Sequence, residues 1–150
     1  MNSRTENAQA PDNCYIIAEA GVNHNGSMEL AAQLVEQAAA AGADAVKFQT
    51  FKAEHVVTRA AKKAAYQIEN TKEDGSQIDM IRQLELSHDE FSKLSCLAAT
   101  ANIDFLSTAF DGESLAFLVD YLAVQQLKIP SGELTNGPYL LDCASRKLPL

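Results

Sequence analysis

No apolar run in this chain approaches the roughly 20 residues that a helix needs to cross a bilayer. The first thirteen residues, Met1 to Asn13, are polar and lack the apolar stretch of a signal peptide, so a loose arm on a cytoplasmic protein is expected. Positive charge is scarce: 12 Lys and Arg stand against 20 Asp and Glu, for a formal net charge of −8. Such a field repels phosphate backbones and anionic lipid, which argues against nucleic acid or a membrane surface as partner. Cysteine is sparse too. Cys14, Cys96 and Cys143 are odd in number, widely spaced and free of any C-x-x-C pattern, so reduced thiols filling core space are expected. Also missing are a G-x-G-x-x-G fingerprint, a linker, and a cluster of His and carboxylates at metal-ligand spacing.

What is present is ordinary core material in an alternating arrangement. Of the 150 residues 47% are hydrophobic, which suggests about one domain. Tyr15 to Ala18 is a short strand-like run, followed by a helix that Ser27 can cap, with Leu30, Leu34, Val35 and Ala38 on its buried stripe and an end at Gly42. Ala45 to Thr50 reads as a second strand. Ser87 and Glu90 form a capping box ahead of a helix that buries Phe91, Leu94, Ala98 and Ala101. Ile103 to Thr108 is a third strand; Asp111 caps a helix with Leu115, Leu118 and Leu122 on one stripe. Leu127 to Pro130 is a fourth strand, Asn136 and Pro138 open a last helix, and Leu148 to Leu150 approach a fifth strand.

Repeated strand–helix units predict a parallel sheet covered by helices, either doubly wound or a (β/α)₈ barrel. Four units are about half of a barrel, which takes about 250 residues. The segment from Lys52 to Leu86 is too long for a simple connection, so a lid or small subdomain over the strand ends is expected, with a helix in Ser76 to Leu84.

The polar residues sit where a core should be. Ile17 and Glu19 share a face of the first strand; in the second, Val46 and Phe48 share one face and Lys47 and Gln49 the other. Both faces of a parallel strand are normally buried. The third strand ends in Ser107 and Thr108, and the fourth carries Lys128 ahead of Ser131 and Glu133. A buried ammonium needs an anion, so Lys47 and Lys128 face either a protein carboxylate or a ligand. A purely structural reading pairs Lys47 with Glu19 and Lys128 with Glu133; a functional one gives both lysines to a phosphate or carboxylate. In Gly21-Val22-Asn23-His24-Asn25-Gly26, His24 reads as a turn residue rather than a metal ligand, and His55 and His88 read as solvated.

Four segments in this order resemble the sialic acid synthase family. They are Ile17 to Gly26, Gly42 to Phe51, Phe105 to Asp111, and Lys128 to Glu133; the family usually carries Pro where Ala109 stands. The resemblance runs from about Tyr15 to Leu150. It implies a (β/α)₈ barrel followed by a small antifreeze-like domain, in a domain-swapped homodimer. Residues 14–150 would then be the first half of the barrel, with the insertion at 52–86, and the later barrel half and small domain would be absent.

The implied reaction joins C3 of phosphoenolpyruvate to the aldehyde of an N-acetylated amino sugar, N-acetylmannosamine, as water attacks C2 and phosphate leaves. A divalent metal, Mn²⁺ or Mg²⁺, would polarise the aldehyde, held by histidines outside this chain. By resemblance Lys47, Thr108, Lys128 and Ser131 bind phosphoenolpyruvate, Gln49 contacts the sugar, and Glu19 and Glu133 are carboxylates near the reacting carbons. Legionaminic and pseudaminic acid synthases are the nearest alternatives. A non-catalytic half-barrel that assembles with another chain is the alternative of a different class.

Overall fold

Side-chain caps set the helix starts in a computed structural model that describes residues 14–57 and 76–150. The expected arm of Met1 to Asn13 and the middle of the insertion lie outside those residues. Ser27 accepts the Leu30 N–H and opens α1 (Met28–Ala40). Ser87 and Glu90 make a complete capping box at α4 (His88–Thr100), Asp111 accepts the Ser114 N–H at α5 (Gly112–Ala116), and Asn136 accepts the Tyr139 N–H at α6 (Gly137–Ser145). Each cap satisfies one of the amide donors that a helix start leaves free. Two short helices, α2 (Ala53–Val56) and α3 (Gln77–Arg82), belong to the insertion.

The strands are β1 (Ile17–Gly21), β2 (Ala45–Thr50) and β3 (Asp104–Ala109), paired in parallel in the order β1-β2-β3. In the register Glu19 stands beside Lys47, Lys47 beside Leu106, and Gln49 beside Thr108. Partners in a parallel ladder point to one face, so these side chains share a face and Val46, Phe48, Phe105 and Ser107 take the other. The second face is the core. Val46 and Phe48 are fully buried there with Val35 of α1 and Phe91, Leu94 and Ala98 of α4. Phe48 and Phe105 stack with centroids 5.9 Å apart.

Several expectations change in detail. Leu30 is 42% exposed, and Ala31 takes its place in the core, because the buried stripe of α1 runs through Ala31, Val35 and Ala38. Cys143 fills core space, but Cys14 and Cys96 are exposed; all three are free thiols. His88 is half-buried and not solvated, since its ring lies flat on Phe117 at 3.8 Å. The helix from Asp111 passes into a π-helical turn at Phe117–Tyr121.

The largest difference concerns Leu127 to Pro130, which stay outside the sheet. The Leu127 N–H bonds the Pro149 oxygen at 2.8 Å and the Pro130 carbonyl accepts the Glu133 N–H at 3.0 Å, so the expected fourth strand meets the approach to the fifth and its own turn instead of β3. Pro130 has no N–H to give a ladder.

Candidate functional site at the strand ends

The free face of the sheet carries the polar residues. Lys47 and Glu19, adjacent in register, form an ion pair; the lysine side chain is 12% exposed and the glutamate 51%. A parallel sheet aims all its strand ends one way, and Gln49 and Thr108 follow one step further along β2 and β3. Thr108 is buried and its hydroxyl has no hydrogen-bond partner among the described residues, an arrangement that costs free energy unless a ligand supplies one. Its neighbour Ser107 differs, since it faces the core and bonds Thr50 at 2.7 Å.

Gly21 makes room between the charged and amide groups. It has φ +56°, and a Cβ there would stand 3.3 Å from Glu19 Oε1 and 3.6 Å from Gln49 Nε2. A side chain would therefore wedge between the carboxylate and the amide, which glycine leaves facing a common space.

Lys128 comes to the same place from the far side. With Lys47, Ile17, Leu106, Ser107 and Leu127 it lines a cleft of about 210 Å³. It is exposed and makes no ion pair among the described residues. The structural pairing with Glu133 is absent, because Glu133 instead accepts a hydrogen bond from Asn136 Nδ2 at 2.6 Å. Ser131 and Glu133 lie on a 3₁₀ turn (Ser131–Glu133), and no hydrogen bond or ion pair among the described residues ties them to Glu19, Lys47 or Thr108. So Glu19, Lys47, Gln49 and Thr108 share one face, Lys128 shares the cleft with Lys47, and Ser131 and Glu133 follow Lys128 on their 3₁₀ turn.

Two clamps tie down the described ends of the insertion. Asp111 accepts the Lys52 N–H at 3.0 Å, the Ser114 N–H and hydroxyl at 2.8 Å each, and faces His55 Nδ1 at 3.6 Å. Burial pushes its carboxyl upward, but hydrogen bonds from the Ser114 and Lys52 amides outweigh that and hold it below the usual carboxylate range. Glu85 accepts the Ala53 N–H and the Lys52 ammonium, both at 3.1 Å. The capping role of Asp111 was visible in the sequence. Its reach across 59 residues to Lys52 had no sequence signal.

The loop after β1 is built around His24. Its Nδ1 accepts the Gly26 N–H at 3.1 Å and the ring is fully buried near Phe48, so it is a turn residue as expected. An acceptor at Nδ1 puts the proton of the neutral ring on Nε2, and burial lowers the tendency of the ring to take a second one. Among the described residues no three His, Cys, Asp or Glu stand close enough together to hold a metal ion. None of the described helices is long and apolar enough to cross a membrane.

Comparison with known proteins points one way. The sequence profile of the NeuB family matches residues 34–150. The N,N'-diacetyllegionaminic acid synthase of Legionella pneumophila is 56% identical over 137 residues, 91% of this chain and 38% of that protein. The enzyme of the same name from Campylobacter jejuni is 53% identical over 129 residues, covering 86% of this chain and again 38% of the relative. Among solved structures, the N-acetylneuraminic acid (sialic acid) synthetase of Leptospira borgpetersenii serovar Hardjo-bovis, crystallised with citrate, superposes with a TM-score of 0.72 at 31% identity. That match takes in 89% of this chain and 42% of that one. The chain thus spans about two fifths of the curated relatives it matches. Its parallel strands and covering helices have the fold of the first half of a (β/α)₈ barrel.

Proposed function

The chain belongs to the NeuB family, and from that premise we propose that the whole protein joins phosphoenolpyruvate to an N-acetylated amino sugar, giving a nonulosonic acid and phosphate. One observation carries the reading: two lysines, Lys47 and Lys128, line one cleft, and Lys128 has no ion-pair partner among the described residues. Phosphoenolpyruvate brings a phosphate and a carboxylate, one anionic group for each ammonium. The Thr108 hydroxyl, unpartnered and buried, offers a further hydrogen bond to the same ligand.

In the proposed reaction, C3 of phosphoenolpyruvate bonds to the sugar aldehyde carbon, water adds at C2, and the C2–O bond to phosphate breaks. Glu19, half exposed beside Lys47, is placed to steer that water or to steady positive charge at C2. Gln49 contacts the sugar. The roles of Ser131 and Glu133, on the turn that follows Lys128, rest on the resemblance alone. No group of three potential ligands stands together among the described residues; the Mn²⁺ or Mg²⁺ that the resemblance implies would be held by histidines outside this chain, where it would polarise the sugar aldehyde.

The sugar is the finer question. Relatives named for N,N'-diacetyllegionaminic acid are 56% and 53% identical to this chain, against 31% for the solved sialic acid synthetase. We therefore assign the diacetylated sugar in place of N-acetylmannosamine. Phosphoenolpyruvate contains no nitrogen, so both acetamido groups of such a product must arrive on the sugar.

The test supplies the purified whole protein with phosphoenolpyruvate, Mn²⁺ and each sugar in turn, and follows phosphate release and product mass. Turnover with the diacetamido sugar at a kcat/KM at least tenfold above that for N-acetylmannosamine is expected. Equal or reversed preference removes the sugar assignment, and no phosphate release with either removes the synthase reading.

A further inference from the structure

Beside Gln49 lies a second cavity, whose other lining residues the condensation described above leaves without a role. It has a volume of about 150 Å³ and is lined by Val22, Phe51, Val56, Ile81, Leu84 and Phe110, with Gln49 as the one polar side chain among the described residues. The lining comes from the ends of all three strands and from both described helices of the insertion or their margins. Phe51 and Phe110 meet edge to face, with centroids 6.4 Å apart and planes at 90°. Asp111 and Glu85 clamp the α2 margin, and Arg82 bonds Glu54 at 2.7 Å between α2 and α3, so the cavity has fixed walls.

We propose that this cavity receives the acetamido group of the diacetamido sugar that N-acetylmannosamine lacks, the methyl among the apolar side chains and the amide against the Gln49 side chain. The inference rests on the synthase reading and goes beyond it by naming Val56, Ile81 and Leu84 as residues that set sugar choice.

Three features select that occupant. A sugar hydroxyl placed here would exchange water for a wall that offers one amide and nothing else, which leaves polar atoms unpaired. A water molecule would likewise have one polar partner where it wants two to four. An acetamido group has the matching make-up, a methyl needing apolar contact and an amide able to bond the Gln49 amide in either sense. The position agrees, since Gln49 Nε2 and Glu19 Oε1 both flank Gly21. A sugar whose acetamido group enters the cavity would thus keep its remaining atoms over the carboxylate and the cleft.

The residues that shape the cavity are not those that meet phosphoenolpyruvate, and this separates the two ideas in experiment. In the whole protein, Ile81→Trp fills the cavity, and Ile81→Ala enlarges it. Each is assayed by phosphate release with the diacetamido sugar, with N-acetylmannosamine, and with an analogue of the diacetamido sugar carrying one propionamido group. An added or missing methylene in an apolar pocket changes kcat/KM by about 10–200-fold.

Ile81→Trp is expected to lower kcat/KM for the diacetamido sugar about ten- to a hundredfold while KM for phosphoenolpyruvate stays within about twofold. Ile81→Ala is expected to raise the propionamido-to-acetamido ratio about tenfold. The second variant decides the matter if the first fails to fold. An unchanged ratio in Ile81→Ala, or a loss in Ile81→Trp that falls equally on both sugars, overturns the cavity assignment and leaves the synthase reading standing. Wild-type protein that turns over neither sugar sinks the synthase reading and the cavity with it.

Discussion

Replacing Gly26 with alanine tests how the insertion is seated on the barrel. Gly26 has φ +75°, and a Cβ built there would lie 2.1 Å from the backbone oxygen of Gln83, which follows α3. Two costs add. The left-handed conformation costs an alanine about 1–2 kcal/mol. The overlap is with backbone and cannot be relieved by a side-chain rotation, so the loop and the α3–α4 connection must part, at about 1–3 kcal/mol as for an overpacked site.

The sum is about 2–5 kcal/mol. Gly42 supplies the control, because it has φ +78° and nothing within 4 Å of its would-be Cβ, so Gly42→Ala should cost only the first part. Urea unfolding of the whole protein, with both variants and the parent compared at equal slope, gives the two values. The difference between them isolates the contact with Gln83. A Gly26→Ala cost equal to or below that of Gly42→Ala would refute the close approach and, with it, the seating of α3 against the loop after β1.

Other consequences follow from the same contacts. In the whole enzyme Lys128→Ala should raise KM for phosphoenolpyruvate about ten- to a hundredfold and leave KM for the sugar nearly unchanged, measured by initial rates. An unchanged KM for phosphoenolpyruvate would remove Lys128 from the site. His24 is held neutral by burial and by the Gly26 N–H on Nδ1, so its proton affinity is lower folded than unfolded. The unfolded chain then binds more protons in acid, and the stability from His24 is complete above its ordinary value of 6.5 and declines below it, by at most about 1.4 kcal/mol per pH unit. Unfolding between pH 5 and 8 should show that loss in the parent and lack it in His24→Gln. Asp111→Ala should destabilise by about 2–4 kcal/mol, combining a lost helix cap with an unsatisfied Lys52 amide, and chemical denaturation measures it.

What the sequence made legible was local. The caps at Ser27, Ser87, Asp111 and Asn136 each depend on residues three apart, and all four hold. The alternation that separated Lys47 and Gln49 from Val46 and Phe48 also held, because period two is a property of the strand itself. The site's polar face was therefore readable from β2 alone. Contacts between distant segments were not. The Asp111–Lys52 clamp, the approach of Gln83 to Gly26 and the meeting of Leu127 with Pro149 depend on how whole elements come to rest. Leu30 misled for another reason. Its spacing fits the buried stripe, yet α1 lies close enough to the sheet that alanine at position 31 fills the contact, leaving the larger residue turned outward.

The pairing of Lys47 with Glu19 does not by itself make Lys47 a structural residue. A buried pair that existed for the fold would hide both charges and satisfy them fully. Here the lysine is hidden while the glutamate is half in solvent, so the pair lacks the full enclosure of a structural one. Under the proposed function an arriving phosphate or carboxylate would replace Glu19 as the anion beside Lys47, and Glu19, already half in solvent, could turn to water. Lys128 has no partner to give up among the described residues. The two lysines should therefore differ when removed. Lys128→Ala takes away one anion contact, whereas Lys47→Ala also frees Glu19 with no ammonium beside it, placing an uncompensated carboxylate where an anionic substrate must bind. Lys47→Ala is thus expected to impair phosphoenolpyruvate use more than Lys128→Ala does, and the Lys47→Ala/Glu19→Gln double variant should recover part of that difference. A double variant no better than Lys47→Ala would show that the pair plays no part in admitting the substrate.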